Sequence, residues 1–195
     1  MIFLFRIVAL LVAITVHEFS HGKVADLLGD STARNSGRLS LNPIRHLDPL
    51  GSLMVILVGF GWAKPVPVNP SNFRNPQRDM MYVGLAGPLA NFATAFIFGL
   101  PIRMGLFPDQ TILSGVIETI VWINTALGVF NLLPIPPLDG SNVLAAFLPR
   151  RVLPRYWAWE RYGILVLFLV IVVFDGVFIS GVLIPMVNFL LSFFL

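Results

Sequence analysis

The chain has 195 residues, 56% of them hydrophobic and 12% charged, with a formal net charge of +3 at pH 7. Soluble domains carry about 25% charged residues, so this composition excludes a soluble globule and indicates a polytopic membrane protein. The modest positive excess sits in loops, where it reports topology and excludes nucleic acid as a partner, and the absence of cysteine excludes a disulfide framework or a thiolate ligand.

The first predicted helix runs from Ile2 to about Leu28. Met1 to Val16 is apolar except for Arg6 and Thr15 and lacks a small-residue cleavage site, so it reads as a retained span and not as a signal peptide. His17, Glu18, Phe19, Ser20 and His21 then form an H-E-x-x-H motif. On a helix, positions i and i+4 share a face, so both imidazoles can reach one metal ion. Glu18 brings a carboxylate to a water at that metal, and zinc suits neutral imidazole and this chemistry. The competing reading is a polar helix end whose histidines only hydrogen-bond; three rare residues at fixed spacing weigh against it. Ionisable groups in hydrocarbon are costly, and those that persist there mark function.

Residues 31–49 are polar. Arg38 to Asn42 alternate in strand fashion before Pro43, and His46 and Asp48 follow. The apolar run from Leu50 to Trp62 is short of the roughly 20 residues of a full span and is read as re-entrant. In Lys64 to Asn69 the prolines at 65 and 67 favour extended chain that can pair along one edge only, through the Val66 and Val68 amides. A second long helix is predicted from about Met80 to Leu100, with close-packing small residues at Gly84, Ala86, Gly87, Ala90 and Ala93 and with Asn91 as its strongly polar side chain. A third runs from about Thr111 to Leu133 and carries Glu118, Asn124 and Asn131. Pro134, Pro136 and Pro137 forbid its continuation, and Asp139-Gly140 follows. Arg150, Arg151, Arg155 and Arg161, interleaved with Tyr156, Trp157, Trp159 and Tyr162, read as an interfacial belt. Two final helices, about Gly163–Phe174 and Val177–Leu195, are predicted to be joined by a turn at Asp175-Gly176.

The expected fold is all-α and polytopic: about five transmembrane helices, a short re-entrant or sixth segment at 50–62, and a small membrane-associated β element. It forms one domain over 1–195, with a core over 1–145 and accessory helices over 155–195. Lys64, Arg74 and Arg78 precede the second helix and four arginines follow the third. The positive-inside rule therefore makes both loops cytoplasmic, which puts the metal towards that side and the N-terminus outside.

A catalytic zinc site takes three protein ligands and an open position. The candidates for the third ligand are His46, Asp139, Asp175, Asp48, Asp79, Glu118 and Glu160, and spacing does not choose among them. Asp139 has the best context, held by prolines on the inferred metal side, and His46 is its main competitor.

Three motifs, His17-Glu18-Phe19-Ser20-His21, Gly87-Pro88-Leu89-Ala90-Asn91 and Asn131 to Gly140, make the chain resemble the site-2 protease family of intramembrane zinc metalloproteases over roughly residues 10–145. The segments 37–49 and 61–70 also resemble its compact members. The resemblance implies one zinc per chain, held by His17, His21 and Asp139, with Glu18 as general base and acid. It places Asn131 and Asn91 in motifs that orient substrate or stabilise an oxyanion. It implies transmembrane protein substrates and a multi-pass protein of the plasma (inner) membrane. The PDZ and CBS domains of other members have no counterpart here, so the substrate selection they carry does not transfer. The rival expectations are an ion- or proton-conducting transporter and a zinc-binding scaffold without proteolysis.

Overall fold

The computed structural model describes residues 2–58, 61–108, 111–173 and 175–195; the side chains of residues 2, 55–58, 164, 168, 170–173 and 175–178 fall outside that description. Helix α1 spans Ile2–Leu27, α4 Pro76–Arg103 and α5 Ile112–Asn131, and each is long and apolar enough to cross a membrane. Their 26, 28 and 20 residues correspond to about 39, 42 and 30 Å at 1.5 Å per residue. Local sequence sets the ends. Gly29 takes φ 111° just past α1, and the Asp30 amide reaches back to the Ala25 carbonyl at 2.9 Å. Pro76 opens α4, and the Thr111 hydroxyl caps α5 by accepting from the Ser114 amide at 3.1 Å.

The three helices pack on one another, α1 and α5 running one way and α4 the other. Phe5 near the start of α1 lies beside Gly115 near the start of α5. At mid-depth Asn91 of α4 donates to the Ala13 carbonyl and to Asn124 Oδ1, at 3.0 and 2.9 Å. The C-terminal halves of α1 and α5 therefore lie against the N-terminal half of α4.

Short elements decorate this bundle: α2 Thr32–Asn35, a 3-10 turn at Pro43–His46, α3 Pro49–Val58, another 3-10 turn at Pro70–Asn72, α6 Asp139–Phe147 and α7 Leu153–Ala158. Asp48 caps α3 through the Gly51 amide at 2.8 Å. Leu47 and Ala63 form an isolated antiparallel bridge, so the chain leaves and rejoins at one place around the apolar run 50–62. From there a strap over residues 61–70 lies against α1. The Lys64 amide donates to the His46 carbonyl at 2.9 Å, the Val66 amide to Glu18 Oε2 at 2.8 Å, and the Asn69 amide to Asp30 Oδ2 at 2.7 Å. Asp30, fully buried, also accepts from Thr32 and Asn72. Burial alone would raise its pKa; the donors from Thr32, Asn69 and Asn72 prevail and hold it below the ordinary carboxylate value.

The C-terminal region comprises α8 Glu160–Val173, a π-helix at Asp175–Leu183 and α9 Ile184–Phe194. Helix α9 packs on α4 and α5, and Arg103 donates to the Phe193 carbonyl at 2.8 Å.

Two expectations differ from this arrangement and one is met in part: among the described residues α1, α4 and α5 are each long and apolar enough to span, while the apolar stretch beyond residue 160 is divided among α8, the π-helix and α9. The turn expected at Asp175-Gly176 is helical. Asp and Gly end helices where water takes up the freed backbone groups, and an apolar run offers none. No strand forms among the described residues. Residues 38–42 alternate, but three of their amides bond locally: Arg38 and Leu39 donate to the Ala33 carbonyl at 2.8 and 3.2 Å, and Asn42 to Ser40 Oγ at 3.1 Å. Alternation supplies a face and does not supply a partner strand.

Candidate metal centre

His17 and His21 sit one turn apart on α1, both buried, with Nε2 atoms 3.0 and 3.2 Å from Asp139 Oδ2. The ring planes cross at 83°. Asp139 is the first residue of α6, whose start the preceding proline-rich turn fixes. The structure thus brings the three together from positions 17, 21 and 139, with one ligand atom from each converging.

The other ring nitrogens fix the tautomers. His21 Nδ1 lies 2.6 Å from the Val83 carbonyl, which can only accept, so Nδ1 carries the proton. His17 Nδ1 lies 2.7 Å from Asn91 Oδ1. The Asn91 amide nitrogen spends its two hydrogens on Ala13 and Asn124, so its oxygen faces His17 and again Nδ1 carries the proton. In neutral imidazoles both Nε2 atoms are then bare lone pairs. They converge on Asp139 Oδ2, a buried oxygen without a well-formed hydrogen bond. Three acceptors with no proton among them repel unless a cation lies between. Ligands of a tetrahedral zinc sit about 3.4 Å from one another, close to the spacing found, so the residues present fit the ion.

Gly87 leaves the room. A Cβ at this position of α4 would stand 2.5 Å from His21 Nε2 and 2.7 Å from His17 Nε2. Read from sequence, Gly87 is a packing glycine; its closeness to both imidazoles depends on a helix crossing that periodicity does not reveal.

Glu18, half-buried, points to the strap and accepts the Val66 amide through Oε2. Asn91 is fully buried with every polar hydrogen used inside the bundle. Asn131 closes α5 and donates to the Leu127 carbonyl at 3.0 Å, which leaves one N–H of its amide for another acceptor. The remaining ligand candidates lie apart from the cluster. His46 is fully buried, its Nε2–H donating to the Ser40 carbonyl at 2.6 Å. Asp48 caps α3, Asp79 accepts from the Asn75 amide at 3.0 Å, and Glu118 and Glu160 are exposed. The Asp175 side chain lies outside the described residues. Two contributors were not singled out from sequence for this site: the Val83 carbonyl, which no side-chain pattern marks, and Asn124, legible only as a polar position on an apolar helix.

The profile of Peptidase family M50 matches residues 99–174. The chain is 39% identical over 191 residues to "Putative zinc metalloprotease YwhC" of Bacillus subtilis strain 168, covering 94% of this chain and 86% of that one. It is 31% identical over 176 residues to Rip2 of Mycobacterium tuberculosis strain H37Rv, which bears the same description, covering 86% and 68%. It is 45% identical to MJ0611 of Methanocaldococcus jannaschii over a shorter stretch of 62 residues, about a third of either chain. No solved structure matches the chain at a significant level.

Proposed function

The chain belongs to peptidase family M50, the site-2 protease family of zinc metalloproteases, and is a multi-pass membrane metalloendopeptidase; from that premise we propose that it hydrolyses peptide bonds in or near transmembrane segments of other membrane proteins. The observation that carries this reading is the convergence of one ligand atom each from His17, His21 and Asp139, beside Glu18 on a helix of spanning length.

His17, His21 and Asp139 would hold the ion. When bound, zinc supplies a Lewis acid that lowers the pKa of water from 15.7 towards about 7 and polarises a carbonyl. Glu18 takes the proton from the attacking water on its carboxylate and returns it to the leaving amine. Asn91 is a positioning residue: it accepts the His17 Nδ1 proton and so aims Nε2 at the ion. Asn131, with one N–H to spare, is the candidate donor to the substrate carbonyl. A helical substrate hides its peptide bonds, so it unwinds before cleavage. The strap at Lys64–Asn69, or residues 38–42, holds the unwound chain by pairing along an edge. The basic residues Lys64, Arg74, Arg78, Arg150, Arg151, Arg155 and Arg161 at this end support, by the positive-inside rule, a cytoplasmic orientation of the site.

The test compares wild type with Glu18→Gln in lipid, on a panel of single-span substrates, with bound zinc assayed in parallel. Wild type is expected to cleave, and Glu18→Gln to retain zinc while losing cleavage by at least about 100-fold. Equal cleavage by both overturns the role of Glu18. Zinc binding without cleavage of any substrate by wild type overturns the protease reading in favour of a scaffold.

A further inference from the structure

The connector between α6 and α8 carries charge that the chemistry above does not use. Between Pro149 and Tyr162 stand Arg150, Arg151, Arg155 and Arg161 against one acid, Glu160, and all five are exposed. Among the described residues none of these arginines meets a carboxylate within 4.0 Å. Aromatic rings lie among them. Trp159 and Tyr162 are 64% and 47% exposed with centroids 6.2 Å apart, and Arg161 stacks 5.0 Å over Tyr162. Unpaired guanidinium forks beside exposed amphipathic rings, at the foot of an apolar helix, match the chemistry of a phosphodiester headgroup at a membrane surface.

This segment and the first turn of α8 that it runs into flank the metal-binding turn on both sides. Gly163, buried at the start of α8, lies so close to the Pro136 carbonyl that any Cβ there would overlap it. The Tyr156 hydroxyl donates to the Ser141 carbonyl at 3.2 Å. Pro136 and Ser141 bracket Asp139. The connector and the first turn of α8 are therefore attached to the ligand turn three residues before and two residues after the carboxylate.

We propose that the Pro149–Tyr162 connector is a binding surface for anionic phospholipid headgroups, and that its occupancy is felt at Asp139 through the Gly163 and Tyr156 contacts. The surface stands without the protease reading; the coupling rests on the zinc site within it.

The experiment uses full-length protein in nanodiscs, with Trp62→Phe and Trp122→Phe so that only Trp157 and Trp159 report. Brominated phosphatidylglycerol and brominated phosphatidylcholine are compared as quenchers at equal mole fraction, and zinc affinity is measured by chelator competition in both lipids. The anionic lipid is expected to quench at least twice as strongly, with the preference falling as salt rises and vanishing in Arg150→Gln/Arg151→Gln/Arg155→Gln. Zinc is expected to bind several-fold tighter with phosphatidylglycerol in the parent, and equally in both lipids in the triple variant. Equal quenching by the two lipids overturns the surface. Selective quenching with equal zinc affinity keeps the surface and overturns the coupling. Equal quenching together with loss of binding to an acidic-tailed peptide in the triple variant assigns the arginines to a protein partner instead. Cleavage is not read, so failure here is distinct from failure of the protease reading.

Discussion

His17 is held from behind by Asn91 at 2.7 Å, and His21 by the Val83 carbonyl at 2.6 Å, so the direction of each lone pair is set by a contact more than 60 positions away in sequence. This yields two predictions at the scale of single residues. Asn91→Leu is expected to weaken zinc binding by roughly 10–100-fold, while Asn91→Asp, which keeps an acceptor for the Nδ1 proton, loses less. Chelator competition on detergent-solubilised protein measures both, and equal losses would show that the acceptor is irrelevant. Gly87→Ala is expected to lower zinc affinity by at least about 10-fold by placing a methyl group where the imidazoles converge. Helix content by circular dichroism should stay unchanged, because alanine favours a helix interior by roughly 0.5–1 kcal/mol over glycine. The H-E-x-x-H pattern is legible because its residues are rare and its spacing is that of one helical turn. The parts played by Asn91 and Gly87 are not, because they depend on where α4 crosses α1.

Among the elements, the long helices declare themselves by apolar length, and the prolines at 65 and 67 declare an extended segment. The partners of that segment were beyond the reach of pattern: its amides go to Glu18, Asp30 and the His46 carbonyl, not to a ladder. Residues 38–42 make the same point from the other side, with an alternation that found no strand to pair with. Asp30 pins the far end of the strap, and its stabilising effect depends on pH. Its pKa is lowered in the folded protein, so the contribution is complete above the unfolded value near 3.9 and is lost as pH falls through the lower folded value. Asp30→Asn is expected to cost about 1.5–3 kcal/mol at neutral pH. In thermal melts from pH 7 to pH 3, the gap between wild type and the variant should narrow towards the acid end. A constant gap would mean that the carboxylate charge contributes nothing.

The whole molecule separates its chemistry from its anchorage. The ligands gather where the C-terminal half of α1 meets the N-terminal half of α4, whereas α9 locks onto the opposite end of α4. Gly99 is buried there, and a Cβ would overlap the Phe194 carbonyl. Gly99→Leu is therefore expected to destabilise the protein by about 1–3 kcal/mol, with zinc affinity unchanged. A parallel loss of zinc affinity would show that the two ends move together. At this scale composition alone named a membrane protein. The number of spans was less legible, because apolar length beyond residue 160 does not say how the backbone divides it.

Between Pro65 and Pro67 the strap owns a single hydrogen to give, the one on Val66, and Glu18 now has it. A guest polypeptide that paired along that edge, as proposed above, would compete with Glu18 for this hydrogen, so its seating and the release of the Glu18 Oε2 atom would be coupled.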